Sequence, residues 1–595
     1  MIDDTHDRRL ALRAHGLLAL FNRADILTAA DVHVATRLGA MTGETDEQVL
    51  LAAALAVRAV RQGSTCLDLA TVADLPLEDD PEAHGALPWP DHEAWQAAVA
   101  GSPLVAQEVL RFDNALLYLD RYWREEVQVC RDLVSRLERE APEVDTGVLE
   151  AGVLRVFPND GYDEQRTAVR EAAGRWTTVL TGGPGTGKTT TVAGLLALLA
   201  EQAEHGQGRA GQTGTPRRLR IALSAPTGKA SARLQESVDA EAKELPQADR
   251  DRLGQLHSST LHRLLGSRFG TSIRFRHNRD NRLPHDVIVV DETSMVSLTM
   301  MARLLEAVRL DTRLVLVGDP GQLASVEAGA VLADLVDGLR TRSRPTVTAL
   351  TTSHRFGDEI ADLAEALRKD DADRVLGLLR GGGVVELVDP ADERAMAEFR
   401  EVATDAAYAV REAAEAGDAR AAVEALDQHR LLCAHREGPY GVAGWNRQVE
   451  RMVADRTGVD NYDEWYAGRP ILVTANDYGQ GLYNGDIGVT VRADDGRLRV
   501  VVPGADGLKE FATTRLAGVQ TVHAMTVHKS QGSQAREVSV IMPPEDSRLL
   551  THELFYTAVT RAQDRVRVIG SEASVRAAVA RRVQRASGLG RRLAE

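Results

Sequence analysis

Apolar and polar positions along the chain fall into two rhythms. Up to about residue 150 the spacing is helical, as in DEQVLLAAALAVRAVRQG from Asp46, where apolar residues recur every three or four positions. An Asp-, Glu- and Pro-rich stretch, LPLEDDPEAHGALPWP from Leu75, interrupts this region and reads as an exposed loop. From about residue 155 short β-branched runs alternate with helical stretches: TTVLTG, RIALSAP, DVIVVDE and TRLVLVGD. That alternation predicts a parallel sheet with crossover helices. Glu201 to Thr215 is Gly- and Gln-rich and reads as a flexible insertion. A second α/β region begins near Val347. Within it, ILVTANDYGQGLYNGDIGVTVRADDGRLRVVVPG carries β-type runs punctuated by Gly-Asp and Asp-Gly, predicting a small β-rich insertion at about 465–520. The expected divisions are therefore 1–150, 151–345 and 346–595. There is no repeat of solenoid type.

The chain's 595 residues are too many for one hydrophobic core. No apolar run approaches the roughly 20 residues that cross a bilayer. MIDDTHDRRL has no apolar signal core, so a secretory signal is not expected. Cys66, Cys130 and Cys433 are far apart, form no metal or disulfide pattern, and suit a reducing cytoplasm as small buried apolar residues. The net charge of −16 does not announce a nucleic-acid binder, although a channel needs only a local positive lining. Three basic clusters stand out: Arg217, Arg218 and Arg220; Arg274, Arg276, Arg279 and Arg282; and the arginines from Arg581 onward. Each reads as a solvated face or as a nucleic-acid contact.

The sharpest chemical signal is GGPGTGKTT, Gly182 to Thr190, between an apolar strand and a helix. This is the strand–loop–helix context of a phosphate-binding P-loop. Gly182, Gly183, Pro184, Gly185, Thr186 and Gly187 form a loop whose backbone N–H groups can curl round phosphates. Lys188 is expected to reach the β- and γ-phosphates, Thr189 to ligate Mg²⁺, and Thr190 to complete the ATP site at the helix N-terminus. VIVVDETSM ends a strand in Asp291 and Glu292, which suit Mg²⁺ coordination and water activation respectively. Gln322 in LVLVGDPGQL is placed to sense the γ-phosphate. Arg355 in LTTSHRF and Arg561 in LFYTAVTRA are candidate arginine fingers. A nuclease pattern of spaced carboxylates with a lysine is not seen.

Together these motifs resemble the superfamily-1 helicases, in the same order and from Phe157 to the C-terminus. FPNDGYDEQ resembles the segment whose glutamine reads adenine, giving Gln165 that role. SAPTGKASARL and STLHRLL resemble DNA-contact motifs, nominating Lys229, Thr260 and His262. TVHKSQGSQ and YTAVTRA resemble motifs V and VI, adding Thr526 and His528 to the DNA contacts. DETSM, GPYGVAGWN around Asn446 and NDYGQGLYNGDIGV around Asn484 resemble the RecD-like branch, and Asn446 and Asn484 join the expected DNA contacts. GSTCLDL near Cys66 and LYLDRYWREE near Tyr122 resemble the subunit form of that family, found in RecBCD-type helicase–nucleases.

The resemblance implies an α/β fold: two RecA-like P-loop NTPase domains, a helical N-terminal partner-binding domain, and a small SH3-like β insertion in the second motor domain. It implies ATP and Mg²⁺ as cofactors and 5′→3′ translocation on single-stranded DNA, with ATP in the cleft between the domains. It also implies two partner subunits in a heterotrimer, a RecB-like helicase–nuclease and a RecC-like scaffold, working at duplex ends in recombinational double-strand break repair. Nuclease activity is expected in a partner. Other readings are a stand-alone RecD-like helicase, an RNA helicase of the same superfamily, and a nucleotide-binding switch without motor function.

Overall fold

The computed structural model describes residues 7, 9–74, 87–209, 218–268, 271–342, 346–352, 358–459, 463–477, 479–504 and 507–595. The N-terminal region opens with three helices, Gly16–Arg23, Ala29–Thr42 and Glu47–Arg61. Local chemistry sets their limits. Thr28 and Asp31 form a reciprocal capping box, Gly43 ends the second helix at φ +79°, and Asp46 caps the third. The third helix is the one the helical spacing predicts, and it buries Leu51 to Leu55 in a core shared with Phe21 and Trp95.

This region is not helical throughout. Leu116–Leu119 sits between Leu67–Asp68 and Leu110–Asp113 in a three-stranded antiparallel sheet. The strands are two to four residues long, and their hairpin turns on Asn114 and Ala115, both at positive φ. A two-residue turn without glycine gives little sequence signal. The segment 75–86, most of the expected exposed loop, lies outside the described residues.

Helix Asp120–Leu137 then leaves that core and packs against helix Leu298–Ala307 of the next lobe, with Val129 and Leu133 buried there. Near its end Arg136 is buried and donates to the carbonyls of Arg309 (2.7 Å), Trp176 (3.0 Å) and Thr312. With its Nε also donating to Thr177 Oγ1 (2.8 Å), the guanidinium fastens the helix to the sheet edge.

The first lobe is built on a six-stranded parallel sheet. Its order is Val347–Leu350, Thr177–Gly182, Arg313–Gly318, Val287–Val290, Ile221–Ala225, Ser258–Thr260. Side chains alternate between faces. Leu314 and Leu316 join the core beneath Leu298–Ala307 and Val331–Arg340, while Val315 and Val317 join the core beneath helix Lys188–Arg209. That helix runs through Glu201 to Arg209, so the first part of the expected flexible insertion is helical. The leucines at 195, 196, 198 and 199 anchor the helix, and the Gly and Gln residues extend it outward. Residues 210–217 lie outside the described set.

The second lobe carries a five-stranded parallel sheet, ordered Val385–Val388, Ala562–Ile569, Ala535–Ile541, His429–Cys433, Ala524–Thr526. Between two of these strands the chain forms a five-stranded antiparallel sheet, ordered Gly507–Ala512, Leu498–Gly504, Ile487–Arg492, Pro470–Val473, Val519–Thr521.

The last residues cross back. After helix Glu572–Ala580, Arg582 pairs with Asp370 and donates to His552, while Arg585 donates to the Ser325 carbonyl of the first lobe (2.5 Å). Thr65 of the N-terminal region donates its N–H to the Ala586 carbonyl (2.9 Å). Helix Leu589–Ala594 buries Leu589 and Leu593 in the first lobe's core, beside Val336 and Leu339. Arg592 pairs with Asp113 (2.7 Å). Arg582, Arg585 and Arg592 are therefore engaged within the chain, while Arg591 is exposed. Arg220 pairs with Asp286 and Arg279 with Asp132, so the other two clusters also give guanidinium groups to internal ion pairs.

Candidate functional site

Three neighbouring strands of the first sheet end at one place. Thr177–Gly182 runs into the P-loop, Val287–Val290 into Asp291 and Glu292, and Arg313–Gly318 into Asp319 and Gln322. The carboxyl ends of parallel strands are where such sheets bind ligands. Gly185 and Gly187 adopt φ +79° and +80°, which the tight loop requires. Lys188 opens the following helix, and its ammonium donates to the carbonyls of Gly182 and Gly183, both at 2.7 Å. Burial pushes the Lys188 pKa down, opposed by the carboxylates of Asp319, Asp291 and Glu292.

Burial, and then the charge of adjacent Glu292, push the Asp291 carboxyl up from its ordinary value. Its Oδ1 accepts from the Glu292 N–H (2.8 Å), and Glu292 is held at φ +49°. Two carboxylates crowded at a buried strand end, lining the same cleft as Thr189, form a hard oxygen donor set that suits a divalent cation. A cation there would relieve the repulsion that raises the Asp291 pKa. The cleft has a volume of about 640 Å³ and takes in Lys188, Thr189, Asp291, Glu292, Gln322 and Arg561.

The far wall comes from the second lobe. Arg561 follows helix His552–Val559 and is buried. It donates to Gln322 Oε1 (2.8 Å), and its Nε and Nη1 donate to the carbonyls of Thr557 (3.2 Å) and Ser533 (3.4 Å). Gln322 in turn donates to Asp319 Oδ2 (3.1 Å), which also accepts from the Tyr556 hydroxyl (3.0 Å). The Leu323 N–H donates to Thr557 Oγ1 (2.9 Å), and Gln531 donates to the Leu323 carbonyl (2.9 Å). The expected sensor glutamine and arginine finger are thus in contact across the lobe boundary. Arg355 lies outside the described residues.

One expected residue sits behind the cleft surface rather than on it. Gln165 is buried behind the P-loop, where its amide donates to the Thr186 carbonyl (3.0 Å); Asn159 to Tyr162 form the cleft wall on that side. Thr190 does line the cleft, and its hydroxyl donates to Glu241 on the same wall (2.9 Å).

The DNA-contact candidates form a second group. Thr260 and Thr526 each cap a short helix, accepting from Arg263 N (3.2 Å) and Lys529 N (3.3 Å). His262 packs edge-on to Phe275, and burial lowers the pKa of both His262 and His528. Lys229 lies where the lobes meet. Burial, with Arg430 nearby, brings its pKa down to about 7. The preceding Gly228 faces Tyr483 of the antiparallel insertion so closely that a Cβ would approach that ring at 2.7 Å. Asn484 is exposed on the same turn as Tyr483. Asn446 has both ends of its amide engaged: it donates to the Thr521 carbonyl (3.2 Å) and accepts from the Ala524 N–H (2.8 Å), pinning the link between the insertion and the sheet.

Sequence reasoning did not single out Asp319, Tyr556 or Gln531. Asp319 and Tyr556 stand inside quoted motifs, GDPGQL and YTAVTRA, and the alternation of buried strand and polar tip at Asp319 is a usable signal. Nothing local marks Tyr556 as the partner of a residue 237 positions away.

Comparison with known proteins bears on what this arrangement is. The family descriptions that match are "AAA domain" over 161–390, "UvrD-like helicase C-terminal domain" over 521–569 and "RecBCD enzyme subunit RecD, N-terminal domain" over 23–118. A RecBCD enzyme subunit RecD of Mycobacterium tuberculosis (strain CDC 1551 / Oshkosh) is 58% identical over 590 residues, covering 99% of this chain and 98% of that protein. This chain belongs to the RecD family of RecBCD enzyme subunits. The family member of Mycolicibacterium smegmatis is 58% identical over 96% of this chain and 98% of its own length. An ATP-dependent RecD2 DNA helicase of Deinococcus radiodurans is 31% identical over 81% of this chain but only 59% of its own length. RecD membership fits the three matched regions in their order along the chain, with the P-loop inside the AAA-domain match. Among the described residues no helix is long and apolar enough to cross a membrane.

Proposed function

We propose that this chain is the ATP-driven motor subunit of a RecBCD-type complex, translocating 5′→3′ on single-stranded DNA from duplex ends. The observation that carries it is the Gln322–Arg561 contact beside the P-loop. A cation from one lobe is held by a polar side chain of the other at the mouth of a nucleotide-sized cleft. Lys188 and the loop amides bind the phosphates of ATP. Thr189 and Asp291 would hold Mg²⁺, which would neutralise charge on the phosphates. Glu292 orients the attacking water, Gln322 reads the terminal phosphate, and Arg561, with Arg355 as a second finger, stabilises charge on the transferred group. Gln165 acts on the nucleotide through the P-loop that it supports. Hydrolysis relaxes the inter-lobe contacts, so each cycle moves one lobe relative to the other along the strand.

DNA runs past Lys229, Thr260, His262, Thr526 and His528, contacted mainly through its backbone, with Asn484 at its edge. The antiparallel insertion is SH3-like and borders this path through Tyr483. Residues 1–150 form the partner-binding domain, 151–345 and 346–595 are the two motor domains, and the nuclease belongs to the RecB-like partner. The high coverage of the subunit relatives, against the partial match to the longer RecD2 helicase, favours this reading over a stand-alone motor.

The test is Lys188→Gln in the full chain. DNA-stimulated ATP turnover should vanish with the melting temperature unchanged, and full turnover in the variant would sink the assignment.

A further inference from the structure

Gly183 is the second residue of the P-loop, and side chains of the other lobe come up against it. A Cβ built there would lie 3.2 Å from the Tyr556 hydroxyl and 3.6 Å from Nη1 of Arg368. Arg368 is the last residue of helix Asp358–Arg368 in the second lobe. It is an exposed side chain, yet its guanidinium reaches the nucleotide loop of the first lobe.

The charges around it make this position unusual. Each nearby cation has a carboxylate: Lys369 pairs with Glu365 (2.6 Å), Arg374 with Asp362 (3.1 Å) and Arg582 with Asp370 (2.6 Å). Arg561 is fixed by Gln322 and two carbonyls. Arg368, among the described residues, makes no hydrogen bond or ion pair. Glu365, three residues back on the same helix, feels its charge but is paired with Lys369, so an arginine at the lobe boundary beside a loop built to hold phosphate is left with a guanidinium that can take a further anion. Gly183 makes the approach feasible, because a side chain there would press on Tyr556.

We propose that Arg368 is a further cation of the nucleotide site, supplied by the second lobe, whose partner is the terminal phosphate of a bound nucleoside triphosphate. This rests on the reading of the cleft as an ATP site and deepens it. Arg561 is locked into the polar network at Gln322, whereas Arg368 is exposed and has an unbranched stem with which to follow the phosphate. Because the lobe that carries it moves relative to the P-loop, its contact depends on closure, and the gain falls on triphosphate rather than diphosphate.

The experiment is equilibrium binding of AMP-PNP and of ADP, each with Mg²⁺, to the full chain carrying Arg368→Ala, Arg368→Lys or Lys188→Ala. Arg368→Ala should weaken AMP-PNP by about tenfold, the usual scale of one charge-assisted contact, and leave ADP within about twofold. Arg368→Lys should recover most of the loss, which a merely structural role would not predict. Equal losses for both nucleotides, or a selective loss under about threefold, overturn the proposal. Lys188→Ala is the control for the underlying reading. If it leaves both nucleotides bound as before, the cleft is not the nucleotide site. If it removes both while Arg368→Ala does nothing, only the role of Arg368 is lost. Melting temperatures of all three variants separate binding effects from unfolding.

Discussion

Replacing Tyr556 with phenylalanine tests whether the two lobes communicate through Asp319. The Tyr556 hydroxyl is buried and donates to Asp319 Oδ2 at 3.0 Å. Burial, reinforced by the Asp319 charge, raises the Tyr556 pKa well above its ordinary value, so the group stays protonated and remains a donor at any working pH. Phenylalanine removes donor and hydroxyl together and so leaves no unpaired group on the second lobe. Asp319 is not orphaned either: Oδ2 still accepts from Gln322 and Oδ1 from the Gly321 N–H (3.0 Å). What is lost is one buried hydrogen bond to an ionised acceptor, about 1.5–3 kcal/mol at most, and nearer 1–2 kcal/mol with Asp319 otherwise satisfied. If that bond exists only when the lobes are closed, the closed population falls by about 5- to 30-fold. DNA-stimulated ATP hydrolysis of the full chain should lose kcat by the same factor, with nucleotide binding to the P-loop largely kept. The double variant Tyr556→Phe with Asp319→Ala should be no worse than Asp319→Ala alone, since both act through one contact. A kcat within twofold of the parent chain, or fully additive losses, would refute the coupling.

Leu593→Ala removes a wholly buried side chain shared by the C-terminal helix and the first lobe. It should cost about 2–5 kcal/mol, read as a lower midpoint in denaturant unfolding of the full chain. Lys229 has its pKa lowered to about 7, so it is charged below that pH and loses its charge as pH rises through it. A phosphate contact raises the bound-state pKa, so single-strand affinity should be flat below about pH 7 and decline above it, and Lys229→Met should abolish that slope. Asn446→Ala leaves the Ala524 N–H and the Thr521 carbonyl without their partner. It should lower stability by about 1–3 kcal/mol; weaker DNA binding at unchanged stability would instead make Asn446 a direct DNA contact.

The parts of this protein that could be read in advance are those whose partners are close in sequence. The P-loop needs glycines, a lysine and a helix start within a few residues. Asp291 and Gln322 stand immediately past apolar strands, and strand and helix rhythms marked both parallel sheets. Where meaning depends on a distant partner, sequence misleads. Asn446 carries the RecD-like resemblance, but its amide is engaged with backbone some 75 residues on. Gln165 falls in the expected segment, but its side chain faces the back of the loop. The arginines after Arg581 look like a charge run because their acceptors, Ser325 and Asp113, lie hundreds of positions earlier. The short N-terminal hairpin was hidden for the opposite reason: its turn is local but lacks the glycine that would announce it.

The crossing of the last residues back to the first lobe has a consequence for how the chain is made. Leu589 and Leu593 complete the core beneath Val331–Arg340, and Ala586 joins the N-terminal region at Thr65. A ribosome therefore has every strand of the first sheet available long before it makes the side chains that seal one flank of it. Until Leu589 and Leu593 are made, that flank is an open apolar trough beside a lobe whose strands are all present. The join between Ala586 and Thr65 thus forms only after both lobes have been made, and loss of residues 586–595 would leave the first lobe's core unfinished.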